Sequence, residues 1–147
     1  MVGRDVLFLV QKTKSKPGEV VLSVEKLNAE NDRGLPGLRD VSLQVRAGEI
    51  SGIAGVAGTG QRELAEVLTG LRKSTSGKVV FGNQPLDSHT NWMEVGQRLA
   101  HIPEDRAAVG SVPALGIGQN LILKRFNRPP ISTGWSINQA AVRENGV

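Results

Sequence analysis

Gly55-Val56-Ala57-Gly58-Thr59-Gly60-Gln61-Arg62 follows the apolar run Ile50-Ser51-Gly52-Ile53-Ala54 and leads into a helical pattern opening Gln61-Arg62-Glu63-Leu64. Its glycines have the spacing of the phosphate-binding loop G-x-x-x-x-G-K-[ST], but Gln61 stands at the lysine position and Arg62 at the hydroxyl position. Gly55, Gly58 and Gly60 let the backbone take positive φ and approach an anion closely. Successive N–H groups then point into one concavity at a helix start, where the helix dipole favours negative charge. The lysine of the intact motif would add charge-assisted hydrogen bonds of roughly 1.5–3 kcal/mol each. Neutral Gln61 lacks them, which weakens binding about tenfold or more. Arg62 returns a cation to the neighbourhood, yet a guanidinium has no lone pair to offer Mg²⁺. These residues predict a loop that cradles phosphate and cleaves it poorly.

The flanks supply the context such a loop requires. Residues 49–54 read as a short buried strand, and Leu64, Val67, Leu68 and Leu71 fall at i, i+3, i+4 and i+7 on one helical face. Gly70 marks the expected helix stop. A glycine-rich turn that merely joins a strand to a helix is the plainer alternative, and the order strand, loop, helix favours the phosphate loop over it.

The 147 residues are enough for about one domain with a real core. A hydrophobic content of 39% with 18 glycines and 3% aromatics suits a loop-rich α/β protein. The absence of cysteine rules out disulfides and thiolate metal sites. No apolar stretch approaches 18 residues, so the sequence holds no membrane span. The net charge of +4 is scattered. Its one cluster, Lys12-Thr13-Lys14-Ser15-Lys16, has no interleaved aromatics and reads as a solvated linker, so nucleic acid is not an expected partner.

Residues 1–19 read as an interdomain linker and residues 20–147 as one partial domain. Residues 20–24 and 41–45 are strand candidates, the second alternating apolar with polar as a half-exposed strand does. Residues 28–36 are a loop between them, and Ala47-Gly48 is a turn. After the helix, residues 78–81 form a strand that turns at Gly82-Asn83 toward Gln84-Pro85-Leu86. Residues 91–98 are a short helix leading into a strand at 99–102, and Pro103-Glu104-Asp105-Arg106 opens a loop. A second short helix is expected within 115–123, then an irregular stretch, then a helix starting within 137–143.

In this order the pieces resemble the nucleotide-binding domain of ABC transporters, more narrowly the second, degenerate domain of the ATP-binding subunits of bacterial nucleoside and simple-sugar importers. The resemblance is carried by Met1-Val2-Gly3-Arg4, Val41-Ser42-Leu43, Val45-Arg46-Ala47-Gly48-Glu49-Ile50, the run from Gly52 to Leu64, Leu68-Thr69-Gly70-Leu71, Ile102-Pro103-Glu104-Asp105-Arg106 and Gln119-Asn120-Leu121. It implies an α/β phosphate-loop NTPase fold of ABC type, a mixed sheet with an antiparallel β-subdomain. By the same resemblance, ATP is held at a degenerate Walker A site of Gly55, Val56, Ala57, Gly58, Thr59, Gly60, Gln61 and Arg62, with dependence on Mg²⁺ weakened or absent. Glu104 takes the place of the Q-loop glutamine, from which a carboxylate could meet the metal. No aromatic stands near residues 28–33 to stack on adenine.

The implied partners are membrane permease subunits and a second nucleotide-binding domain, and the implied location is the cytoplasmic face of the cell membrane. The family's LSGGQ-like signature, its acidic strand end with catalytic glutamate and its switch histidine do not occur before Val147, and neither His89 nor His101 stands in for the histidine. The sequence therefore reads as the front portion of a domain, inactive alone and prone to self-association through an unpaired sheet edge. A non-catalytic structural or regulatory module built on the same fold is the alternative function.

Overall fold

The computed structural model describes residues 16–56, 58–87, 89–90 and 92–144. The chain divides into two compact units, one holding the described residues up to Leu68 together with 72–87, the other holding Thr69–Leu71 and 89–144. Most of the expected linker and its basic cluster, residues 1–15, lie outside the described residues.

The first unit is an antiparallel sheet with one helix packed on it. Strands β1 (Val20–Glu30), β2 (Pro36–Arg46), β3 (Ser76–Phe81) and β4 (Gln84–Pro85) lie in the order β2-β1-β3-β4. Helix α1 (Gln61–Leu68) contacts β1 and β2. The core is one cluster in which Val24, Leu27, Ala29, Leu38 and Val79 from the sheet meet Leu64 and Val67 from the helix. Period-two alternation along β2 puts Val41, Leu43 and Val45 toward partial burial and leaves Ser42 and Gln44 exposed, as its sequence predicts. Both long strands extend further than expected, β1 to Glu30 and β2 back to Pro36. Bulges absorb the polar residues between. The register shifts after Val24, and Lys26 takes a φ of 45° while its N–H donates to Ser42 Oγ at 2.9 Å. Asn28 Oδ1 accepts the Asp40 N–H at 3.0 Å. The expected turn at Gly82-Asn83 joins β3 to β4.

The expected buried strand at 49–54 does not form. Among the described residues nothing pairs with it, and Ile50 is 90% exposed. A strand is held by its ladder, and apolar side chains without a covered face do not supply one. The antiparallel part of the expected sheet is therefore present, and the parallel part is not formed among the described residues. Helix α1 also stops earlier than its spacing suggests, at Leu68, so Leu71 is 59% exposed rather than buried. Gly70, with φ 77°, is the expected stop.

The second unit contains α2 (Trp92–Arg98), α3 (Ile117–Leu121) and α4 (Gln139–Glu144), all near their expected places. The strand expected at 99–102 is instead irregular, with Ile102 exposed and no ladder partner among the described residues. Ile122, Ile131, Ala141 and Val142 form this unit's core. Asn120 ties residues 112–116 to α3. Its Oδ1 accepts the Val112 N–H at 2.8 Å, and its Nδ2 faces the carbonyls of Val112, Leu115 and Gly116 at 3.0–3.2 Å. Asn138 caps α4 by accepting the N–H groups of Ala140 and Ala141.

Candidate functional site

The candidate loop turns at 58–60 and enters α1. Gly58 and Gly60 have φ of 84° and 102°, a region that costs a residue with a Cβ roughly 1–2 kcal/mol. Gly60 is also tightly enclosed, since a Cβ there would lie 2.6 Å from the Gly37 carbonyl oxygen and 3.0 Å from Leu38 Cδ2. A Cβ on Gly55 would lie 2.8 Å from Thr59 Oγ1 and 2.9 Å from Gln61 Nε2. The chain therefore curls so that Thr59 and Gln61 stand over Gly55. Thr59 closes the turn twice on the Val56 carbonyl, through its N–H at 3.2 Å and its hydroxyl at 2.7 Å. The first bond into the helix is Leu64 N–H to Gly60 C=O at 2.9 Å, so the N–H groups of Gln61, Arg62 and Glu63 precede the ladder and have no intrahelical acceptor. Ala57 lies outside the described residues.

Beside the turn is a cleft of about 340 Å³. Gly58, Thr59 and Glu63 line one side, and Asn31, Gly37 and Arg39 of the β1–β2 hairpin line the other. The hairpin turn is shaped by Asn31, whose Oδ1 accepts the N–H groups of Arg33 at 2.9 Å and Leu35 at 3.1 Å. The cleft has polar groups of both signs and no aromatic wall.

Arg62 is engaged elsewhere. Its Nη1 pairs with Asp32 Oδ2 at 3.2 Å, and its Nε donates to Glu66 Oε1 at 2.7 Å. Arg72 closes the set: its Nε donates to Glu66 Oε2 at 2.7 Å, its Nη2 to Asp32 Oδ1, and its Nη1 to the Glu30 carbonyl at 2.8 Å. Each carboxylate thus bridges both guanidiniums. The hydrogen bond from Arg72, then the charge of Arg62, hold Asp32 below its ordinary value of 3.8. Partial burial pushes Glu66 up, and hydrogen bonds from Arg72 and Arg62 outweigh it, leaving that carboxyl below its ordinary 4.5. Both guanidiniums are held further in their charged form, Arg62 first by its bond to Glu66 and Arg72 first by its bond to Asp32.

Of the expected site, the structure brings together Gly55, Val56, Gly58, Thr59, Gly60 and Gln61, and turns Arg62 toward the carboxylates of Asp32 and Glu66. Glu104 belongs to the second unit and is exposed. The cleft residues Asn31, Gly37 and Arg39 carry no motif and escaped the sequence reading. The Arg62–Glu66 pair was readable from its i,i+4 spacing.

A glycine turn that opens a helix is a feature this chain shares with phosphate-loop α/β proteins. The match of the ABC transporter family model to residues 38–143 carries this further, and the chain belongs to that family. Its fold is a partial ABC ATPase fold. It is 41% identical over 132 residues to the guanosine import ATP-binding protein NupO of Bacillus subtilis, covering 90% of this chain and 26% of the relative. It is 39% identical over 132 residues to the nucleoside import ATP-binding protein NupA of Lactococcus lactis, with the same coverage. The ribose import ATP-binding protein RbsA 1 of Rubrobacter xylanophilus is 40% identical over 128 residues, 87% of this chain and 25% of the relative. The chain therefore spans about a quarter of the length of these relatives. Among solved structures, a dimeric ATP-binding cassette in a post-hydrolysis state, bound to ADP and Pi, shares the fold with a TM-score of 0.64 at 18% identity, over 84% of this chain and 53% of that one. No helix of the described residues is long and apolar enough to cross a membrane.

Proposed function

We propose that the chain is part of the ATP-binding subunit of an importer for nucleosides or simple sugars, and that it is the degenerate half, binding ATP without efficient turnover. The names of the relatives support the import role. The observation that carries the degenerate reading is that Gln61 and Arg62 stand where an ammonium and a hydroxyl would be, directly after the turn of Gly58 and Gly60. The residues fit a phosphate group: a Cβ on Gly55 or Gly60 would crowd its neighbours, and the N–H groups of Gln61, Arg62 and Glu63 form the positive end of α1. They do not fit a tightly held Mg²⁺, because Arg62 offers no lone pair and is committed to Asp32 and Glu66.

In this mechanism the loop glycines Gly58 and Gly60 and the first turn of α1 donate main-chain amides to phosphate oxygens, and Gln61 supplies a neutral donor in place of a charge. Without that charge the loop stabilises the transferred phosphoryl group poorly, so hydrolysis falls to a second nucleotide-binding domain. Permease subunits at the cytoplasmic membrane face receive the resulting motion, and Glu104 lies on the segment that would meet them. Calorimetric titration with ATP, in Mg²⁺ and in chelator, tests the proposal. The expected result is binding of similar strength in both and no release of phosphate. Turnover at a rate of about 1 s⁻¹ or more would overturn it.

A second reading, a structural module that binds little nucleotide, draws support from Thr59. Its N–H and hydroxyl are both spent on the Val56 carbonyl, which removes two donors from the loop. Absence of binding at millimolar ATP would favour it.

A further inference from the structure

The ring of Asp32, Arg62, Glu66 and Arg72 joins two parts of the first unit that the backbone does not connect directly. Arg62 and Glu66 belong to α1, Arg72 follows it, and Asp32 lies in the hairpin turn between β1 and β2. The turn also supplies Asn31, at the edge of the cleft, and the chain leaving it supplies Gly37 and Arg39. Arg72 reaches past Asp32 to the Glu30 carbonyl, so the turn is held from its side chain and its backbone together. Two cations and two anions make the ring neutral as a whole. It adds no net charge to the phosphate site, and what remains for it to supply is position.

We propose that Arg62, standing where a phosphate loop has its metal-binding hydroxyl, acts with Arg72 as a positioning residue that clamps the turn of residues 31–35 and thereby holds Asn31 and the start of β2 as a wall of the nucleotide cleft. The inference rests on the nucleotide-binding reading above. In a phosphate loop with an intact hydroxyl, the residue at this place reaches the site through a metal ion. Here the same place reaches the hairpin through a fork of hydrogen bonds, which a lysine could not reproduce with both carboxylates. The cleft wall is then set before any ligand arrives.

The test uses the whole 147-residue chain and two readouts. Amide exchange of residues 31–35 without nucleotide reads the clamp itself, and calorimetric affinity for ATP, with and without Mg²⁺, reads its service to the cleft. Arg62 and Asp32 are 59% and 60% exposed, so both tolerate replacement without loss of core packing. Asp32→Asn and Arg62→Lys are expected to speed exchange in the turn about tenfold and to weaken ATP binding about fivefold. Arg62→Thr is expected to do the same and also to make ATP binding respond to Mg²⁺, by about threefold or more, which a purely structural role would not produce. Raising salt to about 1 M should speed exchange in the unaltered chain as well, without any replacement.

Folded variants with unchanged exchange in the turn overturn the clamp, whatever the chain binds. Exchange that quickens while ATP affinity stays within about twofold overturns its service to the cleft. If the unaltered chain binds no ATP at millimolar concentration, the nucleotide reading fails with it, and the exchange arm still reports on the ring.

Discussion

Three glycines of the loop region separate backbone strain from steric closure. Gly52 has open space around it, and alanine there should change stability by less than about 0.5 kcal/mol. Gly58 also has open space but a φ of 84°, so Gly58→Ala isolates the dihedral cost, about 1–2 kcal/mol. Gly60 combines a φ of 102° with a Cβ position 2.6 Å from the Gly37 carbonyl oxygen. Gly60→Ala must pay for the dihedral and displace the start of β2, together about 2–4 kcal/mol. Amide exchange at the paired Val24 and Val79 in the core of the sheet reads this directly. The loss of protection should be negligible for Gly52→Ala and roughly 30- to 1,000-fold for Gly60→Ala, at tenfold per 1.4 kcal/mol. A Gly60→Ala chain no less protected than Gly58→Ala would show that the loop does not rest against Gly37, and the placement of the cleft would fall with it.

Restoring the ammonium with Gln61→Lys should tighten ATP binding about tenfold, from one added charge-assisted bond of roughly 1.5–3 kcal/mol, measured by calorimetry. The charge ring gives a defined acid response. Asp32 and Glu66 titrate lower in the folded chain than their ordinary 3.8 and 4.5, so their contribution is full above that range and is lost as pH falls through the lower folded values. Exchange in residues 31–35 should accordingly be flat from pH 7 to about 5, after correction for intrinsic rates, and quicken below about 4. Asn120→Ala should loosen residues 112–116 at a cost of about 1–3 kcal/mol. Trp92 and Trp135 both belong to the second unit, so tryptophan fluorescence during urea unfolding follows it selectively.

The legible parts of the sequence were those with local periodicity. Alternation at Val41, Leu43 and Val45 gave β2, the spacing of Leu64, Val67 and Leu68 gave α1, and Gly82-Asn83 gave the β3–β4 turn. Residues 49–54 and 99–102 misled for one reason: an apolar run reads as a strand, but whether it pairs depends on partners that composition does not reveal. Gly58 and Gly60 were legible because so few residues tolerate their φ, whereas Gly55 does not take the expected positive φ and is instead confined by Thr59 and Gln61. The ring was half legible, since Arg62 and Glu66 are one helical turn apart whereas Asp32 and Arg72 are brought together only by the fold. The turn-organising roles of Asn31 and Asn120 gave no signal, although Asn120 stands in a run that carries the family resemblance, because side chains that organise a turn through the backbone leave no repeating pattern.

Strand β1 lies between β2, its hairpin neighbour, and β3, which arrives only after the loop and α1. Pairing Leu22 with Phe81 closes a long excursion of chain that contains the whole candidate site, whereas the β1–β2 hairpin closes a short one. Closure entropy favours the hairpin as the earlier event, with the excursion sealed when β3 zips onto the free side of β1. In that order the glycine turn lies inside the longer excursion and is enclosed only once β3 pairs with β1.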